Sequence, residues 1–378
     1  MLHKMNFILI LILASIAEIS GEKLLPCKQV KEKICFSSQD YIPENEPEPM
    51  PNNINITLKI LDVIGVDETQ NTIKLLIYAF IHWQDNRLNI SRSSNRTSYK
   101  INGADIWYPE IFIANSVQAQ NLISFNKDGG ALNALYCYYS NPNRQIEYST
   151  VLTITISCNM NFQSFPFDKH ECNLDLKNWN GASNKIVLNS PKLLGNDEKG
   201  NEINTKELKI NSNGRLEYDF IFKSLPSTLF TDLGFEYSMT HVGLHFVRTQ
   251  KSREKIFSGY HLQTGIFSFL SLASFFSPPN APIDRMGMLI VLYLIQMNAY
   301  NTVPAPPHRG FSLIETWFIG IQIPILIAIL EYGVILAMKK FWPVQKELKE
   351  TILRKIDLFT FFLSASFLFT FISIYWFA

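Results

Sequence analysis

Five cysteines are the side chains of this 378-residue chain whose spacing most clearly predicts covalent chemistry. Cys158 and Cys172 enclose thirteen residues, centred on a Phe-Pro-Phe-Asp turn at Phe165–Asp168. Proline fixes the backbone φ angle and lacks an amide donor, so this tip is a preformed turn and not a pair of hydrogen-bonded strands. A disulfide closing such a ring contributes roughly 3 kcal/mol by the chain-entropy estimate. The spacing therefore predicts a small disulfide-closed loop, with an ordinary bridge between two strands of a secreted β-domain as the alternative.

The other three cysteines predict at most one further disulfide. Cys27 and Cys35 are near enough in sequence for a local bridge, which leaves Cys137 without an assigned partner. An odd cysteine in an oxidising compartment is either a buried thiol or an intermolecular link, and the sequence leaves both open.

The remaining reactive side chains do not predict an enzyme. Seven histidines are scattered, with no nucleophile–base set, phosphate loop or cluster of metal ligands. His241 and His245 lie four residues apart in a predicted strand, where zinc binding or pH sensing is the functional interpretation and ordinary strand histidines the commoner one. The formal net charge is +1 and no basic stripe with interleaved aromatic residues occurs, so nucleic acid is not an expected partner. We expect no catalytic site, resident metal or cofactor.

Composition and the N-terminus indicate a secreted or membrane chain. Charged residues make up 18%, against about a quarter in a soluble domain, and they are concentrated between residues 22 and 255. Residues 1–21 predict a signal peptide, with Lys4 as its positive flank and an apolar run at Phe7–Ala17; a signal anchor is the alternative.

Residues 22–254 predict an extracellular, immunoglobulin-like β-sandwich. Short alternating apolar and polar runs, clearest at residues 72–81 and 149–157, are separated by turn residues, with no long amphipathic helix between them. Residues 36–53 are rich in proline and read as an extended lead-in. Three N-glycosylation acceptors support an extracellular location: Asn55, Asn89 and Asn95.

Four apolar segments predict a transmembrane domain over residues 255–378. Each is long enough to cross a ~30 Å hydrocarbon core as a helix. They are residues 256–276, 285–303, 312–338 and 358–378. The loop at 339–357 carries six Lys or Arg residues, which predicts a cytoplasmic loop and places both termini outside the cell. The fold class is therefore an α+β protein of the plasma membrane, a β-sandwich followed by a four-helix bundle.

The second apolar segment contains polar side chains at helical spacing. One stripe of that helix would present Gly287, Val291, Leu294, Asn298 and Asn301. Such a stripe suits a water-filled pore with a hydrophobic constriction. The alternative is an interior helix of a solid bundle, whose Asn side chains bond to neighbouring helices.

The cysteine loop, β-domain and four helices together resemble a subunit of the Cys-loop family of pentameric ligand-gated ion channels. The resemblance covers the chain from about Ile54 to its end. Further motifs in register with the family are Trp83–Leu88, Trp107–Asn115, Ile314–Trp317 and Leu330–Tyr332. The segments Arg354–Asp357 and Tyr375–Trp376 look most like an invertebrate branch with a short cytoplasmic loop.

The resemblance implies a binding site for a small-molecule agonist, such as a cationic amine, between neighbouring subunits of a homo- or hetero-pentamer. Trp179 matches the aromatic residue that faces the agonist, Tyr78 the one on the complementary face, and Asn115 a first-loop contact. Candidates for the capping loop are Phe230, Phe235 and Tyr237. A Trp face attracts an ammonium group by about 1–2 kcal/mol. For each of these aromatic residues, core packing is the alternative.

Three departures from the family pattern narrow the expected agonist class and the expected shape of the first membrane helix. The capping loop has no adjacent Cys-Cys pair, which excludes a principal acetylcholine-type subunit. Phe80 stands where glycine- and GABA-type subunits can place a carboxylate-pairing Arg, so amino-acid agonists lose support. Gln263 replaces a helix proline found in many relatives.

The resemblance also implies how binding reaches the pore. The tip of the cysteine loop would rest on the Pro304–Gly310 link, with Lys251 and Arg253 as charged neighbours. The loop residues expected to couple agonist binding to pore opening are Phe165, Pro166, Phe167 and Asp168.

Ion selection depends on Asp284 and Arg285 at the cytoplasmic mouth of the predicted pore. Five copies of Asp284 would form an acidic ring, which favours cations. The preceding link has the length typical of the anion branch, so an anion channel is the alternative. Competing functions are a pentamer subunit that does not conduct and a membrane enzyme or transporter with a β ectodomain.

Overall fold

The computed structural model describes most of the chain from residue 34 to residue 377. The described residues are 34–36, 44–90, 98–101, 106–118, 121–123, 136–140, 145–178, 181–196, 202–210, 215–276, 282–307, 310–341 and 346–377. The predicted signal peptide, Cys27, Asn95 and Trp179 lie outside these ranges, and of Cys35, Asn89, Cys137 and Asp284 only the backbone is described.

The strands form two stacked sheets and one short pair. The short pair joins β1 (Ile34–Phe36) and β4 (Leu88–Ile90). The first sheet has the order β12-β11-β2-β3-β8-β7-β5, with β10 added on β2. Its strands are β2 (Asn52–Asp67), β3 (Thr72–Gln84), β5 (Ser98–Ile101), β7 (Tyr136–Ser140), β8 (Gln145–Ser157), β10 (Ile186–Leu188), β11 (Lys192–Asn196) and β12 (Glu202–Thr205).

The second sheet faces the first across the core. Its order is β13-β14-β16-β9-β6, with β15 added on β16. The strands are β6 (Ile111–Ile113), β9 (Lys169–Asn178), β13 (Glu207–Ile210), β14 (Tyr218–Ser224), β15 (Thr228–Asp232) and β16 (Phe235–Arg248). The predicted β-sandwich is confirmed.

The alternation of apolar residues explains why these strands pack face to face. β3 and β8 contain the two runs that the sequence analysis identified, and they pair antiparallel from Thr72–Ser157 to Gln84–Gln145. Their inward positions, such as Leu75, Ile77 and Ile154, are fully buried. Burying one such side chain contributes about 1.5–3 kcal/mol, so the core is the main stabilising term of the sandwich.

A disulfide joins the two sheets at one end of the sandwich. Cys158 and Cys172 are bonded, with their Cα atoms 5.4 Å apart, which confirms the predicted pair. Cys158 directly follows β8 in the first sheet, and Cys172 lies in β9 of the second. The loop between them buries Phe162 and Phe165, and the peptide bond before Pro166 is cis.

Five α-helices follow the sandwich. They are α1 (Gln250–Ile256), α2 (Gln263–Ala273), α3 (Pro282–Thr302), α4 (Leu313–Phe341) and α5 (Lys346–Phe377); a π-helical turn (Phe257–Leu262) separates the first two, and a 3-10 turn (Ser274–Phe276) follows α2. Helical structure begins at Gln250, six residues before the predicted start, because the Thr249 hydroxyl accepts a hydrogen bond from the Ser252 amide as an N-cap.

Helical structure extends into both ends of the predicted cytoplasmic loop at 339–357. α4 continues to Phe341 and α5 already begins at Lys346. The residues of this stretch include Lys, Glu and Leu, which are good helix formers, so the apolar helices extend beyond their hydrophobic stretches.

Two helical stretches, Leu313–Phe341 and Glu350–Phe377, are long and apolar enough to cross a bilayer. The sequence predicted four. In the described chain, the first predicted span is interrupted by the π-helical turn, and the second, α3, contains Gln296, Asn298 and Asn301.

Interhelical hydrogen bonds engage several buried polar side chains of the bundle. Gln296 of α3 is fully buried and donates to the Thr264 carbonyl at 3.1 Å. The Trp317 indole of α4 donates to the Thr264 hydroxyl at 3.0 Å, and Ser268 donates to the Ile321 carbonyl at 2.8 Å. These bonds hold α2 between α3 and α4.

The close contact of α4 with α5 gives a test of this packing. A Cβ atom added at Gly320 would lie 2.0–2.4 Å from the Phe371 ring, whereas one added at Gly333 of the same helix meets nothing within 4 Å. We expect Gly320→Ala to lower the free energy of unfolding by about 1–3 kcal/mol through overpacking. Gly333→Ala should leave it unchanged or raise it, since Ala is the better helix former. Thermal unfolding in detergent measures both, and equal midpoints for the two variants would contradict the packing.

Candidate functional site

The hairpin of β15 and β16 presents two aromatic rings on the outer face of the second sheet. Phe230 and Tyr237 are register partners, and their rings stack with centroids 5.4 Å apart. Lys177 of β9 reaches this pair, with its ammonium nitrogen 3.7 Å from the Phe230 centroid and 5.2 Å from that of Tyr237. Phe235, the third capping-loop candidate, is 60% exposed and projects into solvent.

A histidine connects this hairpin to β9. His241 lies opposite Asp175 in the register, and its Nδ1 is 2.7 Å from the Asp175 carboxylate. The Nε2 atom of the same ring is 2.8 Å from the Thr228 hydroxyl. His241 therefore holds β15 against β9, and with both ring nitrogens engaged it fits the structural interpretation better than a zinc ligand. His245 is paired in the same way with Glu171, at 3.0 Å.

Tyr78 lies on the opposite side of the sandwich from the hairpin. It belongs to β3 of the first sheet, alternates with the buried Ile77 and Ala79, and packs against Phe80 with centroids 4.2 Å apart. Because the two outer faces of one sandwich point away from each other, Tyr78 and the pair Phe230–Tyr237 can form one site only if they come from different chains.

Asn115 binds backbone groups of the chain itself. Its amide nitrogen donates to the Asn173 carbonyl at 2.6 Å, and its amide oxygen accepts from the Asp175 amide at 3.2 Å. The side chain thereby fixes the segment after β6 against β9. Trp179, the central aromatic residue of the predicted site, lies beyond the described residues.

Arg248 organises a buried charge cluster at the end of the sandwich nearest the helices. It is the last residue of β16 and is 2% exposed. Its Nε donates to Asp168 at 2.9 Å, its Nη1 to Glu217 at 2.7 Å and its Nη2 to Glu68 at 2.8 Å. One guanidinium group therefore joins the cysteine loop, the β2–β3 turn and the residue that precedes β14. Arg248 itself lies two residues before the start of α1.

Aromatic side chains enclose this cluster. The guanidinium carbon of Arg248 lies 4.7 Å from the Phe165 centroid and 4.6 Å from that of Tyr218. Tyr218 accepts a hydrogen bond from Arg248 at 2.6 Å and donates to Glu68. Burial raises the pKa of Tyr218 well above its usual value, against the opposing effect of Arg248, so the phenol keeps its proton.

Asp168 is the fully buried carboxylate of the cluster. Burial alone would raise its pKa, but hydrogen bonds from His170 at 2.7 Å and from Arg248 outweigh that effect and lower the pKa from 3.8 to about 2. Asp168 is therefore ionised at neutral pH and attracts the Arg248 guanidinium.

The cysteine loop contacts the helices directly. The Leu313 amide, at the start of α4, donates to the Gln163 carbonyl at 2.7 Å. The Phe167 ring lies edge-on to Trp376 of α5, with centroids 5.9 Å apart. Lys251, predicted as a charged neighbour, is exposed on α1.

Sequence reasoning missed Arg248, Glu68, Glu217 and Tyr218. A signal for Arg248 was available, because it shares the inward parity of Phe246 and Leu244 along β16. A charged residue at a buried strand position requires partners, but alternation alone does not identify them.

The predicted stripe of α3 faces away from the other described helices. Gly287, Asn298 and Asn301 are exposed, as are Val291 at 54% and Leu294 at 59%. Arg285 does not belong with them. It is 1% exposed and donates to Glu331 and Asp357, each at 2.7 Å, because helices α4 and α5 enclose its guanidinium.

Of the predicted glycosylation acceptors, Asn55 is exposed on β2, where its side chain accepts from Asn189 at 2.9 Å.

The depressed pKa of Asp168 predicts an acid-sensitive stability. A lowered pKa in the folded state stabilises the protein fully above pH 4, and this contribution of about 2 kcal/mol is lost as the pH falls from about 4 to 2. We expect Asp168→Asn to remove this part of the acid dependence, measured as unfolding midpoints at pH 5 and pH 2.5. The control Asp67→Asn replaces an exposed carboxylate whose pKa is lowered by a hydrogen bond from Thr69. If D168N and D67N retain the same acid dependence, the assignment to Asp168 is wrong.

Comparison with known proteins identifies the family. Residues 35–233 match the model of the neurotransmitter-gated ion-channel ligand binding domain. The chain is 29% identical over 156 residues to gamma-aminobutyric acid receptor subunit rho-2 of Rattus norvegicus, which covers 40% of this chain and 31% of the relative. It is 28% identical over 151 residues to subunit rho-1 of Mus musculus, covering 39% and 29%. The matched stretch thus spans about a third of these relatives. The chain belongs to the neurotransmitter-gated ion-channel family, as the cysteine loop and its surroundings predicted.

Proposed function

We propose that this chain is a subunit of a pentameric ligand-gated ion channel, in which an agonist bound between sandwiches opens a pore lined by α3. The observation that carries the proposal is the Arg248 cluster. It joins the cysteine loop and the β2–β3 turn to the strand that leads into α1. A change in the sandwich can therefore reach the helices through short, buried contacts.

The pore is assigned to the outward stripe of α3. A helix face with exposed Val291 and Leu294 between Gly and Asn suits a hydrophobic constriction in a water-filled path. The described atoms of the chain do not cover this face, so neighbouring copies around a central axis would enclose it. A solid bundle within one chain would have buried the stripe.

The proposed topology has four crossings in the plasma membrane. α4 and most of α5 are long and apolar enough to span a membrane. The π-interrupted segment α1–α2 and the polar α3 pack against them and complete a four-helix unit. Lys339, Lys340 and the basic residues at the start of α5 favour a cytoplasmic connection, which leaves both termini outside.

For ion selection we infer an anion channel. The expected preference for cations is not supported, because the relatives are gamma-aminobutyric acid receptor subunits and favour the anion branch. The short link between α2 and α3, typical of that branch, agrees with this inference. The two carboxylates that bind Arg285, Glu331 and Asp357, lie on α4 and α5 and not on the pore stripe. A subunit that assembles without conducting is the second candidate. Its α3 carries Asp284 next to Arg285, and a ring of five such carboxylates would oppose the entry of anions into the pore.

The agonist is a small molecule held by aromatic side chains at a subunit interface. Because the relatives are gamma-aminobutyric acid receptor subunits, gamma-aminobutyric acid is the first compound to test. We further propose an invertebrate-type branch and a homo- or hetero-pentamer, as the sequence resemblance implies.

Two-electrode recording from cells expressing this chain alone tests the proposal. We expect a gated current with gamma-aminobutyrate or another small transmitter, and a reversal potential that follows chloride on ion replacement. A reversal potential that follows sodium would overturn anion selection but not the channel. Silence with surface expression confirmed would favour the non-conducting subunit.

Leu294→Ser tests the constriction. A polar side chain in the narrow apolar part of the stripe favours wetting of the pore, so we expect a resting leak current without agonist. Leu289 of the same helix is fully buried, which makes Leu289→Met the volume-matched control, expected to show no leak. An unchanged resting conductance in L294S would remove Leu294 from the pore.

A further inference from the structure

The outer face of β9, β16 and β15 carries both the aromatic pair and a cation of the chain. Strand alternation directs Lys177, Tyr237 and His241 to this face, and Phe230 joins it by stacking on Tyr237. Lys177 is 19% exposed, so its ammonium group is held against the rings and is not free in solvent.

This arrangement disfavours a second cation at the same rings. The attraction of an aromatic face for a cation is already used by Lys177, 3.7 Å from the Phe230 centroid. An incoming ammonium group would have to displace it or bind beside a like charge in a partly desolvated site. A simple cationic amine is therefore a poor fit, contrary to the expectation from the family resemblance.

Lys177 retains capacity to bind an anion. Its ion-pair partner Asp232 is 3.9 Å away, beyond hydrogen-bond distance, and that carboxylate is 59% exposed. The other described carboxylates along this face are engaged by histidines, Asp175 by His241 and Glu171 by His245. An ammonium group has three donors, and an incoming carboxylate can accept from them at short range.

Directly beside Tyr78, the cation that the described complementary face presents is already paired. Phe80 and Tyr78 pack against each other there, and the cation beside Tyr78 in the register, Lys59, is paired with Glu202. Recognition of a negative group is therefore better placed on the hairpin side.

We infer that the interface site recognises its ligand through an anionic group, a carboxylate, that binds the Lys177 ammonium, while Phe230 and Tyr237 contact the ligand's hydrocarbon part. Asp232, at the rim, suits an additional amino group, so an acidic or zwitterionic compound is the expected class. This inference rests on the proposed function, because the site needs two neighbouring chains.

Binding to the full-length protein in detergent tests the inference without requiring a current. The probes are gamma-aminobutyrate, butyrate, butylamine and choline, and the readout is the concentration that half-saturates the shift in unfolding temperature. We expect the better carboxylate to bind about tenfold more tightly than butylamine or choline. Lys177→Met should weaken carboxylate binding by about tenfold, and Lys177→Glu should favour butylamine. Lys177→Arg keeps the charge and is the matched control, expected to retain carboxylate binding.

The outcomes separate this inference from the proposed function. A protein that elutes as a monomer defeats the pentameric site altogether. A pentamer defeats the carboxylate inference alone if butylamine or choline binds more tightly than both carboxylates, if neither carboxylate binds, or if K177M binds carboxylates as well as the native chain. Should K177M fail to fold, the preference of the native protein and the comparison of K177E with K177R decide the question.

Discussion

A buried guanidinium group cannot remain unpaired, and the requirement to satisfy Arg248 shapes the whole junction between sandwich and helices. Removing one partner from such a buried ion pair costs about 3–5 kcal/mol, because the remaining charge stays desolvated. Its carboxylate partners come from three segments far apart in sequence, Glu68, Asp168 and Glu217. The cysteine loop therefore cannot move away from β16 without breaking the buried ion pair of Asp168 with Arg248. Motion of one of these elements must be shared by the others.

The disulfide and Asn115 extend this constraint into the second sheet. Cys158–Cys172 ties the end of β8 to β9, and Asn115 bonds to the backbone of β9 at Asn173 and Asp175. Lys177 lies two residues further along the same strand and contacts the hairpin. β9 thus runs from the charge cluster to the aromatic pair as one hydrogen-bonded element. A ligand that repositions the hairpin acts on the strand that carries the loop.

Local patterns predicted much of this architecture, and long-range pairings were beyond them. The cysteine spacing, the alternation in β3 and β8 and the stripe on α3 are all readable within about fifteen residues. The partners of Arg285 lie 46 and 72 residues away on other helices, so its place before the second apolar segment suggested a pore position, whereas its guanidinium is buried against α4 and α5. Lys177 was overlooked because a lysine on an alternating strand normally points into solvent; only the fold brings it over the rings of a hairpin more than fifty residues later.

The apolar core does not stop at the boundary between sandwich and helices. Ile314, Trp317 and Phe318 of α4 belong to the same buried cluster as Phe165 and Phe246. During synthesis the sandwich leaves the ribosome well before α4 does, so its lower end stays uncovered until the third apolar segment has been made. Exposed apolar surface of this kind is what chaperones bind and what causes nascent chains to associate wrongly. Maturation of the ligand-binding half is therefore coupled to insertion of the membrane half, and a chain that is cut between them lacks part of its own core.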